Sequence, residues 1–201
     1  MRLINIYFFR TYLRVDSGHM DENERLRRCL EGHAEEYRFI MEKYQAKMMA
    51  LAWNVLGNRE DAEEACQDAF AQAFIHLDSF DLQRRFKDWL YTILMNRCRD
   101  QLRKKKRLNQ FMSLRRTELV GGSGWSNPTK VSSKKLPENL LRNLNPKERI
   151  ALALWANEGY SGEEIGDVLK CAAATARVHL FKARRKIKAL LEHQNAENKV
   201  G

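Results

Sequence analysis

The sequence has few helix breakers and no regular alternation of apolar and polar residues. It contains only 3 prolines and 10 glycines in 201 residues. Proline and glycine interrupt helices, and a half-buried strand alternates between apolar and polar positions, so these two absences favour helices throughout. No apolar run approaches the roughly 20 residues that a membrane-spanning helix needs. We therefore expect an all-α fold, without a sheet and without membrane insertion.

Clusters of chemically reactive residues are also missing. The cysteines lie far apart and form no C-x-x-C pair: Cys29, Cys66, Cys98 and Cys171. This spacing indicates neither a zinc site nor a disulfide framework, and it predicts small core residues in a reducing compartment such as the cytoplasm. The histidines stand singly, at His19, His33, His76, His179 and His193. Since no nucleophile elbow or glycine-rich phosphate loop occurs either, we expect no enzyme, no catalytic residue, no metal and no cofactor.

Positive charge is what the chain has in excess. The 36 Lys and Arg residues outnumber the 26 Asp and Glu residues, which gives a formal net charge of +10. Such a charge predicts an anionic partner, either nucleic acid or an acidic membrane surface. A chain of 201 residues with 44% hydrophobic residues can bury one ordinary core or two small ones.

Changes of pattern divide the chain into four parts. The first, residues 1–20, is predicted to be a disordered or non-native extension, because an apolar stretch is followed at once by Arg10 and Arg14 without a cleavage site. Turn-forming glycine, serine, asparagine and proline then mark a linker between two helical patterns. The remaining parts are an N-terminal helical domain at 21–108, a flexible linker at 109–139 and a C-terminal helix-turn-helix domain at 140–195.

Helical periodicity organises the N-terminal domain. Apolar residues between Glu24 and Leu56 follow one helical stripe, which Gly57 and Asn58 are expected to end. A second stripe, expected to be core, comprises Ala62, Ala65, Cys66, Ala69, Phe70, Ala73, Phe74 and Leu77. The opposite face carries Asp61, Glu64, Asp68 and Gln72. From charge alone, that face is a solvated surface.

The next segment combines a buried stripe with aromatic and basic residues. The stripe consists of Phe86, Leu90, Ile93 and Leu94. The helical spacing then places on the remaining surface Trp89, Tyr91, Asn96, Arg97 and Arg103. Aromatic rings beside cations suit a single nucleic-acid strand, because bases stack on rings while cations follow phosphates. The spacing is equally consistent with a Trp89 that belongs to the core.

The C-terminal domain has the pattern of a helix-turn-helix. Asn145-Pro146 begins one helix, Ser161 to Glu164 forms a capping box for a second, and a third runs from about Ala172 through Leu191. Six Lys or Arg residues and no acid occur between Arg177 and Lys188. The last helix of such a unit enters the major groove, and Thr175 could bond a phosphate. A solvated basic helix that closes a bundle is the alternative, and the capped turn favours DNA binding.

With both halves considered, the chain resembles the sigma factors of bacterial RNA polymerase, of the small two-domain extracytoplasmic-function branch. The resemblance covers roughly 31–107 and 141–191. It is carried by short sequence fragments, and the order and spacing of these fragments together are specific to the family. The fragments are Asp61-Ala-Glu-Glu-Ala-Cys-Gln-Asp-Ala-Phe70 with Ala73-Phe74, Phe86-Lys-Asp-Trp-Leu-Tyr91 with Asn96-Arg97, and Glu163-Glu-Ile165 with Leu169, Thr175 and Ala183-Arg184.

The resemblance implies three binding surfaces. A helix that docks onto the clamp helices of the largest polymerase subunit matches Asp61, Glu64, Gln67, Asp68 and Phe70. The region that melts and reads the downstream promoter element matches Phe80, Phe86, Lys87, Trp89, Tyr91, Asn96, Arg97 and Arg103. The region that reads the upstream element matches Thr175, Arg177, Val178, His179, Phe181, Lys182 and Arg184. Arg177 and Lys182 are the best candidates for guanine contacts, because Arg and Lys donate to O6 and N7.

Two stretches depart from the family pattern. A bulky, basic loop from Asp81 to Arg85 replaces a small Gly-x-Ser-like sequence, and Ala172 to Ala174 replaces a Pro-Glu-Gly-like start of the recognition helix. We therefore expect the protein to dock on DNA as the family does but to read a different base sequence.

The resemblance predicts a transcription initiation factor whose partners are core RNA polymerase, promoter DNA and an anti-sigma factor. A free-standing helix-turn-helix regulator, with a helical sensing or dimerisation domain at its front, is the alternative. It explains Ala172 to Leu191 equally well, but it gives no reason for Trp89 or for the basic run that ends at Arg107.

Overall fold

Helices make up the regular structure of the described part of the chain. The computed structural model describes residues 20–116, 141 and 143–197. Within these ranges it contains no strand, and the all-α prediction is confirmed. The α-helices are α1 (Glu22–Leu30), α2 (Tyr37–Leu56), α3 (Arg59–Ile75), α4 (Phe86–Arg116), α5 (Pro146–Glu158), α6 (Gly162–Leu169) and α7 (Ala173–Glu197). Short 3-10 turns occupy Ala34–Glu36 and Leu77–Ser79. Residues 1–19 of the predicted extension, and 117–139 of the predicted linker, lie outside the described residues.

Capping chemistry sets most of the helix boundaries. The side chain of Asn58 accepts a hydrogen bond from the backbone N–H of Asp61 at 2.9 Å, and Asn145 and Ser161 both form complete capping boxes. Gly57 and Gly159 end α2 and α5 in the left-handed conformation, with φ of 73° and 68°. The predicted caps at Asn145 and Ser161 are therefore confirmed.

The first helical segment is interrupted, in contrast to the single stripe expected from Glu24 to Leu56. It forms two helices, α1 and α2, because Gly32 adopts a φ of 102° that ends helical geometry. Beyond this break the predicted stripe of α2 is correct, since Ile40, Met48 and Leu51 are buried. The periodicity was detected correctly, but the glycine between the two helices was overlooked.

Helices α2, α3 and α4 pack around one apolar core. The stripe predicted for α3 is buried, except that Phe74 is partly exposed and packs on Tyr37 with ring centroids 4.9 Å apart. Cys29, Cys66 and Cys98 are buried, while Cys171 is half-buried. Helix α4 continues to Arg116, into the first residues of the segment expected to be linker. No glycine or proline occurs between Phe86 and Arg116, so nothing in the sequence stops this helix.

Helices α5, α6 and α7 form the helix-turn-helix. Gly166 lets α6 approach the start of α7, since a Cβ there would lie 2.8 Å from the carbonyl oxygen of Cys171. The inward face of α7 carries Ala176, Leu180 and Ala183, of which the two alanines are fully buried. This spacing leaves the opposite face of α7 exposed to solvent.

The two units, α1–α4 (the N-terminal unit) and α5–α7 (the C-terminal unit), pack directly against each other. Helices α2 and α4 contact α5, and α4 also contacts α6. One continuous set of buried residues includes Leu90 and Leu94 of the N-terminal unit and Leu154, Tyr160 and Ile165 of the C-terminal unit. The chain is therefore folded with its two helical units closed on each other.

Candidate nucleic-acid interface

An acidic surface runs along α3. Glu64, Gln67 and Asp68 are exposed on one face of this helix, where residues three and four apart are neighbours. Asp61 lies on the same face, is partly buried, and forms an ion pair with Lys105 of α4. Four of the five residues assigned to polymerase binding are thus brought together on one surface.

Phe70, the fifth, is not on that surface. Its side chain is 5% exposed and belongs to the core, and its backbone oxygen accepts a hydrogen bond from the Tyr37 hydroxyl at 3.0 Å. Its burial agrees with its place in the apolar stripe of α3. Phe70 therefore supports the acidic face from inside.

A cluster of three aromatic rings lies where α4 begins. The ring centroids of Phe80 and Phe86 are 5.3 Å apart, and Trp89 lies 5.1 Å from Phe80 and 5.6 Å from Phe86. Phe80 and Phe86 are buried, whereas Trp89 is half-buried. The core and surface interpretations of Trp89 both hold in part, because the indole packs on the core with one side and keeps the rest of its surface exposed.

Tyr91 contradicts the surface position expected for it. Its side chain is 0% exposed, and it contacts Tyr44 of α2 as well as the end of α5. The Tyr91 hydroxyl donates to Glu158 Oε1 at 3.2 Å, and Lys87 Nζ lies 2.7 Å from Glu158 Oε2. Burial first, and then the charge of Glu158, raise the pKa of the Tyr91 phenol well above its usual value. Helical period alone could not reveal that a second unit packs on this side of α4.

The basic half of α4 remains open. Arg99 donates to Asn96 Oδ1 at 2.7 Å, which holds this amide in place, and Arg97 is half-buried. Arg103 and the run from Lys104 to Arg107 are exposed, with Arg103 3.9 Å from Asp100. These cations form a strip along which a phosphate backbone can lie.

The outward face of α7 is the second candidate surface. Thr175 and Lys182 are exposed, as are two apolar residues, Val178 at 47% and Phe181 at 64%. Within the described structure, no core residue covers these two apolar side chains, and Phe181 has only the Arg185 guanidinium 5.9 Å from its ring centroid. Such residues can contact the thymine methyl group in a major groove.

Two residues predicted on this surface are held by neighbours, and a third is half-buried. Arg177 forms an ion pair with Glu163 and lies across Gly162, where a Cβ would approach its Cγ to 2.7 Å. The guanidinium of Arg184 stacks on the Trp155 ring, 4.7 Å from its centroid. His179 is half-buried, and burial followed by the nearby Lys147 lowers its pKa, so the imidazole is neutral near pH 7.

Sequence reasoning missed two sets of residues. Arg185 is exposed on α7 with its guanidinium 5.9 Å from the Phe181 ring, and its spacing from Val178, Phe181 and Lys182 could have placed it on the same face. Glu158 and Tyr160, which contact α4, gave no comparable signal because they depend on how the two units pack. Among the described residues, no group of His, Cys, Asp and Glu could hold a metal ion, and no helix could cross a membrane.

Comparison with known families places two matches along the chain. The model of sigma-70 region 2 matches residues 40–108, which covers most of α2 and all of α3. The model of sigma-70 region 4 matches residues 138–187, which spans α5, α6 and the first part of α7. The two matches fall on the two helical units in the order expected.

Curated relatives extend over most of the chain. The extracytoplasmic-function sigma factor SigW of Bacillus subtilis is 28% identical over 182 residues, covering 84% of this chain and 95% of the relative. The sigma-E factor of Escherichia coli is 28% identical over 170 residues, covering 80% and 88%. The sigma factor EcfG of Rhodopseudomonas palustris is 29% identical and covers 75% and 82%.

Solved structures share the fold. The sigma factor RpoE of Bartonella quintana, in complex with the anti-sigma factor NepR, aligns with a TM-score of 0.61 at 26% identity and covers 79% of this chain and 98% of that chain. CnrH, in complex with the cytosolic domain of CnrY, aligns with a TM-score of 0.61 at 23% identity over 86% and 97%. The similarity to CnrH concerns the fold alone.

Proposed function

Because this chain belongs to the sigma-70 family, in its extracytoplasmic-function branch, we propose that it binds core RNA polymerase, directs it to promoters and helps to open the duplex. The observation that carries this conclusion is that regions 2 and 4 match the two helical units in order. A free-standing regulator is not favoured, since it leaves the region 2 match on α2–α4 without explanation.

The acidic face of α3 is the surface we assign to the polymerase. Glu64, Gln67 and Asp68 are exposed and contiguous, and Asp61 at the start of the helix extends the same charge. The protein as a whole carries a net positive charge and therefore repels basic surfaces. The acidic face of α3 is a local exception, so it can select a basic partner surface. The polymerase carries out RNA synthesis, and we assign no catalytic residue to this chain.

Helix α4 and the residues before it are assigned to the downstream promoter element. Trp89 offers a partly exposed ring, and the exposed cations from Arg103 to Arg107 can follow the phosphates of a separated strand. Unstacking a base costs a few kcal/mol, which binding of the extruded base and its phosphates can offset. Strand separation on this surface therefore needs no bond-making chemistry.

Helix α7 is assigned to the upstream element. Its exposed face presents a hydroxyl at Thr175, cations at Lys182 and Arg185, and the apolar side chains of Val178 and Phe181. A helix with that composition can combine phosphate contacts with base-edge contacts in the major groove. We place Arg177 among the base readers, and note that it must first exchange its ion pair with Glu163.

Two further parts of the proposal concern partners and organisation. An anti-sigma factor is a proposed partner, since the related RpoE structure was solved with one. We propose that the domains divide as predicted, at 21–108 and 140–195, and that the tether is the part of 109–139 that follows the end of α4 at Arg116. The cytoplasm is the proposed location, because core polymerase acts there.

Transcription with purified core polymerase tests the function. The full-length chain is added to core enzyme on a library of genomic fragments, and the start sites of the run-off products are sequenced. We expect products that depend on the added chain and share an upstream sequence. Core enzyme alone is the control, and the same random starts with and without the chain would contradict the proposal.

A further inference from the structure

Arg177 of α7 is held against the first turn of α6. Its guanidinium forms an ion pair with Glu163, through Nη2 and the carboxylate Oε1. Its aliphatic stem lies over Gly162, where an added Cβ would be 2.7 Å from Cγ and 2.8 Å from Nε of the arginine. Both contacts are made by α6, so the helix before the recognition helix determines where the Arg177 side chain lies.

The carboxylate of Glu163 is itself fixed in place. A hydrogen bond from its own backbone N–H, and then the charge of Arg177, hold the pKa of Glu163 below its ordinary 4.5, so this side chain is ionised at neutral pH. The side chains of Glu163 and Arg177 remain 62% and 59% exposed. An exposed ion pair contributes little free energy, so it can be exchanged when DNA binds.

Other cations on the exposed face of α7 are not paired in this way. Lys182 and Arg185 form no ion pair with a described residue, and the Arg185 guanidinium lies instead 5.9 Å from the Phe181 ring. Unpaired cations on a DNA-binding surface contact phosphates at any base sequence. The charge of Arg177 is therefore balanced within the fold, whereas Lys182 and Arg185 are available to phosphates.

We propose that Glu163, together with the space at Gly162, determines specificity for the upstream element by keeping Arg177 away from phosphates. This inference rests on the assignment of α7 to that element. The first helix of a helix-turn-helix crosses the DNA backbone, so a carboxylate at the start of α6 repels a phosphate that approaches Arg177. A guanine is uncharged and offers two acceptors, O6 and N7, so it takes the arginine without this repulsion. At other base pairs Arg177 stays on Glu163.

Such a device acts by weakening the binding of wrong sequences. Specificity is a difference between two affinities, and it increases when non-specific binding is made less favourable. Without Glu163, Arg177 becomes a further phosphate contact, which steepens the dependence of log affinity on log salt concentration by about 0.9. A residue that merely stabilised the fold would leave this salt slope unchanged.

Two variants release Arg177 in different ways. Glu163→Gln removes the charge and keeps the shape of the side chain. Gly162→Ala keeps every charge and adds one methyl group, which displaces the flexible Arg177 side chain. Since alanine is a better helix former than glycine, we expect no loss of melting temperature for Gly162→Ala. Glu192→Gln is the matched control, because it removes an exposed carboxylate that pairs with Lys188 within α7 at 3.7 Å.

The experiment measures the affinity of the full chain for a fluorescent random-sequence duplex of about 20 base pairs, by anisotropy over a series of NaCl concentrations. For Glu163→Gln and Gly162→Ala we expect an affinity about 2- to 5-fold tighter than wild type, which is the scale of an exposed ion pair, and a salt slope steeper by about 0.9. Glu192→Gln should leave the slope unchanged. In an Arg177→Ala background, neither variant should steepen the slope.

Specificity is then measured with polymerase holoenzyme, on a promoter found by run-off transcription and on a copy with a scrambled upstream element. The ratio of the two affinities should fall about 2- to 5-fold in both variants. An unchanged ratio would overturn the proposal. A steeper salt slope in only one variant, or one that persists without Arg177, would also overturn it. Failure of the chain to bind core polymerase would reject the proposed function, while the salt slope of the free chain would still report whether Glu163 restrains Arg177.

Discussion

The two surfaces assigned to DNA differ in access, although both were expected from the same kind of residues. On α4, Lys87 and Tyr91 are covered by the C-terminal unit, and Trp89 is only partly exposed. On α7, Val178 and Phe181 are open to solvent. A surface that reads intact duplex can remain exposed, because duplex is its first ligand. A surface that captures a separated strand is better covered until the duplex has opened. Exposed rings and cations would otherwise bind other polyanions.

The largest effect is expected on the acidic face of α3, a third surface that is open like that of α7. Asp68→Arg places a cation in the centre of this face, where like charges across an interface cost several kcal/mol. We expect at least about a 100-fold loss of affinity for core polymerase, with strand binding unchanged. Fluorescence titration of labelled protein with core enzyme measures this loss. Glu42→Arg, a charge reversal on α2, is the control, and equal affinities for wild type and Asp68→Arg would remove α3 from the polymerase interface.

The covered surface is tested at Trp89. Stacking of one base on an aromatic ring is worth about 1–3 kcal/mol, so Trp89→Ala should slow promoter opening by that amount in activation free energy. Closed-complex formation should be almost unaffected. Stopped-flow fluorescence from a probe in the melted region separates the two steps. Trp89→Phe retains a ring on Phe80 and Phe86, and it controls for the loss of core packing. Equal slowing of both steps by Trp89→Ala would contradict strand capture.

The open surface is tested at Arg177. If it donates to one guanine, Arg177→Ala should lower discrimination at a single base pair by about 1–3 kcal/mol. Binding of polymerase holoenzyme to a set of promoters, each with one substituted upstream base pair, measures this discrimination. A uniform loss across all promoters would make Arg177 a phosphate contact.

The smallest effect concerns acid stability of the C-terminal unit. Burial alone would raise the pKa of Glu148, but hydrogen bonds from Lys186 and from the backbone of Asn145 hold it below its ordinary 4.5. A lowered pKa means that the ionised carboxylate stabilises the fold fully above about pH 4.5, and that this stabilisation is lost as pH falls further. Glu148→Gln should therefore have a lower melting temperature than wild type at pH 7. The difference in melting temperature between the two proteins should become smaller toward pH 3. A constant difference across this range would contradict the assignment.

Local features of the fold could be predicted, because they depend on residues near each other in sequence. Asn145 and Ser161 cap helices as expected, and the stripe from Ala62 to Leu77 is buried apart from Phe74. Features that depend on packing between distant parts could not be predicted. Tyr91 lies outside the apolar stripe of α4, and in addition to Tyr44 of its own unit it contacts Glu158 and Tyr160, far along the chain.

The candidate sites divide in the same way. Exposure of Asp68 and Arg103 agrees with their residue types, and exposure of Phe181 agrees with its position on the outward face of α7. The ion pair that holds Arg177 and the stacking of Arg184 on Trp155 required coordinates, since neither partner is adjacent in sequence. The family resemblance predicts which residues bind, and the structure adds which of them are exposed.

The uninterrupted course of α4 has a mechanical consequence. From Phe86 to Arg116 it holds 31 residues, which at about 1.5 Å per residue makes a rod about 45 Å long. One end carries the aromatic cluster, and the other is where the chain leaves toward the C-terminal unit. The point of departure is thus displaced by the length of the rod, so the chain leaves α4 at the end opposite to the first turns, which Glu158 of the C-terminal unit contacts.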